Sequence, residues 1–220
     1  MVNSDLAGFS ALSQSLEAEE LVRFLNDYFA RMSGAVLEHG GNIDKFQGDG
    51  MLVVFGAPNA LIDHAQRALA AARAMLKEID ILNKELAEMG KPEISVGIGL
   101  DTGEVVAGHV GSERRLEFTL IGVPVNNSSY LSKVRPAKVL MSETTRNLLP
   151  AGVDVMDYKP LLLKGTTRKQ PIYQLSSTTK RKALNLHNRA TTRDTRKSVV
   201  PDPAHAAPAP WAGGRGPQTG

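Results

Sequence analysis

The chain has 220 residues, 42% of them hydrophobic and 22% charged, with no cysteine. That length and balance suit one ordinary domain with an appendage; they exclude fibrous and wholly disordered classes, disulfide frameworks, thiol nucleophiles and cysteine-ligated zinc. The net charge of +3 is uneven: residues 177–220 hold eight basic residues against two acidic ones, leaving the remainder near −3. The basic balance therefore gives no argument that the body binds nucleic acid.

In chain order, a short apolar start, Met1 to Ser4, leads to Asp5. No apolar stretch nears the ~20 residues of a membrane span, and no secretory leader is read before Asp5. Ser15 is read as an N-cap, with Glu17, Glu19 and Glu20 suiting the positive end of a helix. Leu21, Phe24, Leu25, Tyr28, Phe29, Met32 and Val36 recur at helical spacing, so a helix is predicted over residues 16–38, stopped by Gly40-Gly41.

Two strand-prone runs, 41–47 and 51–56, flank Gly48-Asp49-Gly50 and predict a β-hairpin with Asp49 at its tip. Asp63 is expected to cap a helix running to about Met89. Ile94, Val96, Ile98 and Leu100 alternate with small or polar residues, which reads as a half-buried strand. Glu104 to His109 and Leu116 to Ile121 form a second hairpin-like pair. A helix over about 125–134 follows the break at Gly122 and Pro124. Val139 to Met141 is a short strand, Ser142 starts another helix, and segments 153–158, 161–164 and 171–175 supply the last strands.

The order predicts an α+β domain: a ferredoxin-like βαββαβ core with an antiparallel sheet, helices on one face and extra C-terminal strands. The domain is assigned to residues 1–175. Beyond Leu175 the apolar periodicity ends, and residues 176–220, basic and then rich in Pro, Ala and Gly, are expected to be a disordered tail.

Gly-Asp-Gly alone is a common turn, and an aspartate such as Asp5 in isolation signals nothing. The joint pattern is specific. Asp5-Leu6-Ala7-Gly8-Phe9-Ser10, the run Ile43 to Gly50, and the run Gly97 to Ser112 together resemble the class III nucleotidyl cyclase catalytic domain, the adenylate/guanylate cyclase family, over about residues 1–175. The resemblance implies in-line attack of the ribose 3′-oxygen of ATP on the α-phosphorus, giving 3′,5′-cyclic AMP and pyrophosphate. It also implies two divalent cations per site, Mg²⁺ or Mn²⁺, held by Asp5 and Asp49; a hard cation that keeps water and phosphate ligands needs few carboxylates.

By the same resemblance, Lys45 and Thr119 select adenine, the lysine donating to a ring nitrogen and the hydroxyl accepting from the exocyclic amine. Guanine selection typically places a glutamate where Lys45 stands. Asn126 orients the ribose, and Lys164, in Leu163-Lys164-Gly165, meets the triphosphate. One position departs from the pattern: Tyr130 stands where the family has an arginine that stabilises the transition-state phosphorus. A tyrosine gives one neutral hydrogen bond where a guanidinium gives fixed charge and several donors. Weak activity is expected unless Lys133, Arg135 or another cation reaches in.

The family also places a longer apolar strand before its first metal aspartate, so the N-terminal strand here is read as shortened. Active sites in the family form between two domains set head to tail. The resemblance thus implies a homodimeric adenylate cyclase acting on ATP in the cytoplasm, with no specific nucleic-acid partner and no transmembrane segment. The rival is a catalytically impaired, nucleotide-binding regulatory module.

Overall fold

The two strands around Gly48-Asp49 close as a hairpin: β2 (Asn42–Gln47) pairs antiparallel with β3 (Gly50–Val54), and Gln47 lies opposite Gly50. Gly48 takes φ +63°, a left-handed conformation that glycine adopts without steric cost. These coordinates are a computed structural model, and they describe residues 1–112 and 115–176. The tail expected to be disordered lies outside the described residues.

The described elements, in order, are β1 (Val2–Ala7), α1 (Phe9–Ser15), α2 (Ala18–Leu37), β2, β3, α3 (His64–Glu88), β4 (Ser95–Leu100), β5 (Val106–Ser112), β6 (Arg115–Ile121), α4 (Val123–Ser132), β7 (Val139–Ser142), α5 (Glu143–Asn147), β8 (Val155–Leu161) and β9 (Gln170–Leu175). Seven strands form one sheet in the order β2-β3-β1-β4-β7-β9-β8, and β5 and β6 form a separate two-stranded ribbon. The first four strands, ordered 2-3-1-4 with α1, α2 and α3 between them, are the βαββαβ core of a mixed α+β fold. Only the β4–β7 pairing in the large sheet is parallel.

Several boundaries differ from the sequence reading. The helix expected from residue 16 is two helices. Ser15 ends α1, its hydroxyl donating to the Leu12 carbonyl at 2.8 Å, and Glu17 caps α2 through a reciprocal capping box with Glu20. Asp63 precedes α3, but its carboxylate takes Arg67 Nε at 2.8 Å and does not cap the helix backbone. Pro124 does not break the chain ahead of α4; it sits in the first turn, where its missing N–H costs nothing. The strand expected at 161–164 is absent, with Lys164-Gly165 forming a turn between β8 and β9.

Alternate residues of the central strands face opposite ways. Val2, Leu6, Met51, Val53, Val96 and Ile98 join the main core, built with buried residues of α1, α2 and α3. A second cluster, with Leu131 of α4, Leu140 of β7 and Ile172 of β9, lies on the other face. The long helices thus gather on one face and α4 is laid across the other.

The α4 contact explains why β4 is buried along nearly its whole length, not half-buried. A Cβ added at Gly99 would stand 2.0 Å from the Ser128 carbonyl oxygen, and one at Gly97 would stand 2.0 Å from that of Ser132. The two glycines let a helix backbone rest directly on the strand. Gly99→Ala should therefore cost about 2–3 kcal/mol, because the obstructing atoms are helix backbone that cannot rotate away. Urea denaturation monitored by circular dichroism checks this, and an unchanged midpoint would contradict the close packing.

The central strand β1 pairs with β4 along its full length and with β3 at Val2, Asn3 and Ser4. Its two buried polar residues are partnered. Asn3 Nδ2 donates to Ser128 Oγ at 2.9 Å, and Ser4 Oγ accepts from the Met51 amide at 3.2 Å. The Met1 ammonium donates to the Asp101 carbonyl at 2.7 Å, and burial lowers its pKa to about 6.

Candidate active site

Asp5 lies on the face of β1 away from the main core, in step with Asn3, and its register partner on β4 is Gly97. On the other side of β1, Ser4 pairs with Met51, so the start of β3 and the turn residue Asp49 sit at the same end of the sheet as Asp5. Both carboxylates act on one buried group. Burial pushes the Tyr28 phenol far above its ordinary value; the Ser4 hydroxyl works against that rise, and the charges of Asp49 and Asp5 add to it. The two aspartates, 44 positions apart in the chain, thus both lie within electrostatic range of the Tyr28 phenol.

Their surroundings differ. Asp49 enters no ion pair among the described residues. Asp5 is engaged by Arg135, whose Nη2 lies 2.9 Å from Asp5 Oδ2 and 3.0 Å from the Asp5 carbonyl oxygen. In the sequence Arg135 stands out only as a cation near the position of the absent family arginine; its position against Asp5 depends on where α4 ends and carries no sequence signal.

A β-bulge positions Lys45. Ile43 pairs with Val53 and Lys45 with Leu52, leaving Asp44 as the extra residue. Ile43 packs on the main core, and in a regular strand Lys45, two residues on, would face the same way. The inserted residue turns Lys45 to the opposite face and returns Phe46 to the core side, where its ring lies 4.4 Å from that of Phe29.

There Lys45 Nζ donates to Thr119 Oγ1 at 3.0 Å and pairs with the Glu117 carboxylate on β6, while Asp44 Oδ2 is 3.7 Å away. The lysine holds the Glu117 carboxyl below its usual range, by hydrogen bonding first and by charge second. Lys45 and Thr119, 74 positions apart, are thus brought into contact. Glu117 was missed; its alternation with Thr119 along β6 is the signal that could have found it.

Asn126 and Tyr130 are both exposed on α4, one turn apart and so on one face. The neighbouring Asn127 is buried and donates to Asp101 Oδ2 at 2.9 Å, so the Asn-Asn pair divides between surface and interior. Lys164 is exposed in its turn. No hydrogen bond or ion pair among the described residues joins the Asp5–Asp49 group to the Lys45–Thr119 group.

Among the described residues no helix is long and apolar enough to cross a membrane. No cluster of three or more His, Cys, Asp or Glu that could hold a metal occurs among them either, which leaves a two-carboxylate donor set as the arrangement to consider.

Comparisons with known proteins bear on this arrangement. Uncharacterised proteins of Mycobacterium tuberculosis and Mycobacterium bovis are 41% identical over 144 residues and 42% identical over 141 residues, covering 64% and 63% of this chain. The chain spans about a quarter of the length of these relatives. Among solved structures, the adenylyl cyclase CyaB from P. aeruginosa superposes with a TM-score of 0.75 at 35% identity, covering 80% of this chain and 92% of that one. The guanylyl cyclase Cya2 superposes with a TM-score of 0.70 at 36% identity, covering 80% and 90%. Residues 1–177 match the adenylate and guanylate cyclase catalytic domain as a family. With that match spanning the whole described fold, the chain belongs to the adenylate and guanylate cyclase catalytic domain family, the class III nucleotidyl cyclases.

Proposed function

We propose that this domain is an adenylate cyclase, converting ATP to 3′,5′-cyclic AMP and pyrophosphate at sites shared between two copies of the chain. The observation that carries the reading is the Lys45–Thr119 contact at 3.0 Å, which presents an ammonium donor and a hydroxyl acceptor side by side, as an adenine edge requires. That the similar solved structures include both an adenylyl and a guanylyl cyclase makes this pair the deciding feature.

Asp5 and Asp49 fit a pair of divalent cations, Mg²⁺ or Mn²⁺. They are oxygen donors at one end of neighbouring strands, and a turn carboxylate with no ion pair among the described residues leaves coordination room for water and phosphate. Such cations, when bound, lower the pKa of the ribose 3′-hydroxyl and neutralise the phosphates. In the reaction the 3′-hydroxyl loses its proton to solvent water, its oxygen bonds to the α-phosphorus, and the bond to pyrophosphate breaks. Lys45 and Thr119 hold the base, Asn126 orients the ribose, and Tyr130 offers one neutral donor toward the phosphorus. Lys164 meets the triphosphate.

A homodimer is supported by the β5–β6 ribbon, which exposes Val106, Val110, Leu116, Phe118 and Ile121; so much apolar surface on one hairpin marks an interface. The absence of cysteine accords with the reducing cytoplasm.

The deciding experiment supplies the purified chain with ATP or GTP and Mn²⁺. Cyclic AMP should form in preference to cyclic GMP, and the reverse preference would overturn the adenine assignment. In Lys45→Glu, kcat/KM for ATP should fall by about 10²-fold, since a base-reading site rejects a nucleotide whose polar edge it leaves unpaired. The ratio of GTP to ATP turnover should rise with it.

A second reading rests on Tyr130. Without a transition-state cation, the domain would bind nucleotide and act in regulation with little turnover.

A further inference from the structure

The end of α4 places a positive charge on a residue proposed to bind metal. Gly97 and Gly99 bring α4 down onto β4, and after Ser132 the chain turns through Lys133 and Val134 to Arg135. Arg135 Nη1 donates to the carbonyl of Ser132, at the negative end of α4. Nη2 reaches both the backbone carbonyl and the carboxylate of Asp5, at 3.0 and 2.9 Å. A Cβ on Gly97 would come within 2.1 Å of Nη1, so the bare strand is what admits the guanidinium. The group is fixed by the helix end, by β1 and by the glycine, and both side chains of the pair are about two-thirds buried.

We propose that Arg135 is a built-in counter-cation of the metal site, holding Asp5 when no divalent ion is present and competing with that ion for the carboxylate. The proposal rests on the assignment of Asp5 as a metal ligand. A divalent cation arriving at Asp5 must displace the guanidinium from Oδ2 or bind beside a like charge, and either course weakens its binding. A charge-assisted hydrogen bond of this kind corresponds to roughly a tenfold change in affinity or more. Asp49, with no such partner among the described residues, accepts a cation without that competition. Arg135 acts on the site through Asp5, which makes it a positioning residue and not a catalytic one.

The test measures Mn²⁺ binding to the full chain, without nucleotide, from the electron paramagnetic resonance signal of the free ion. In Arg135→Met, which keeps the apolar stem and removes the charge, Mn²⁺ should bind about tenfold more tightly than in the wild type. In Arg135→Lys, which keeps the charge, the affinity should stay within about threefold of wild type; a role of the stem alone would shift both variants alike and overturn the proposal. Should Arg135→Met fail to fold by circular dichroism, Arg135→Gln gives the same readout. Unchanged or weaker binding in the uncharged variant, with Asp5→Asn still weakening the ion, removes the counter-cation and leaves the metal site standing. Unchanged binding in Asp5→Asn removes the metal assignment itself.

Discussion

Asp49→Ala should abolish cyclic AMP formation, lowering kcat by at least about 10³-fold with Mn²⁺ and ATP, because it removes the ligand that holds a cation where charge develops on the phosphates. The side chain stands at a hairpin tip with no ion pair among the described residues. Folding should therefore be little affected, with a change within about 0.5 kcal/mol. The two readouts separate cleanly: a chain that melts as the wild type does and yet is inactive has lost chemistry and not structure. Nucleotide binding through Lys45 and Thr119 should persist, so the loss should fall on kcat more than on KM. An Asp49→Ala variant that made cyclic AMP at the wild-type rate would remove Asp49 from the site.

The second large effect runs the other way. Tyr130→Arg should raise kcat by about 10² to 10³, the range that one well-placed transition-state donor supplies. Tyr130 is 40% exposed on α4 and shares a face with Asn126, so a longer side chain can extend outward and the substitution should be tolerated. The measurement is turnover at saturating ATP, with nucleotide binding followed separately. A large gain identifies an impaired enzyme whose remaining machinery is sound. Measurable ATP binding with no turnover in either form would favour the regulatory reading.

What could be read from the sequence was whatever depends on local chemistry. The alternating runs around Gly48-Asp49-Gly50 predict β2 and β3 because a tight reversal needs glycine, and the 3.6-residue spacing from Leu21 to Val36 predicts α2. Boundaries were less legible, because several residues compete for each cap. Ser15 and Glu17 both suit a helix start, and only the reciprocal bonds of Glu17 with Glu20 decide between them.

The half-buried reading of β4 failed for a related reason. Gly97 and Gly99 look like gaps in an apolar pattern, whereas in the fold they are seats for another backbone. Asn126 and Asn127 are equivalent as text and separate only when α4 has a face. Arg135 shows the limit most sharply: its charge was visible, but its carboxylate partner lies 130 positions away and is reached by way of two glycines.

The extra residue at Asp44 reaches beyond the strand that holds it. One added backbone unit inverts the parity of everything downstream in β2, so the tip carrying Asp49 and the ammonium meeting the base are tied to a single offset. Any redesign of base preference along this stretch inherits that coupling. Swapping side chains in place keeps the offset, whereas changing the number of residues trades the lysine for its neighbour and drives a charge toward the aromatic packing of Phe29.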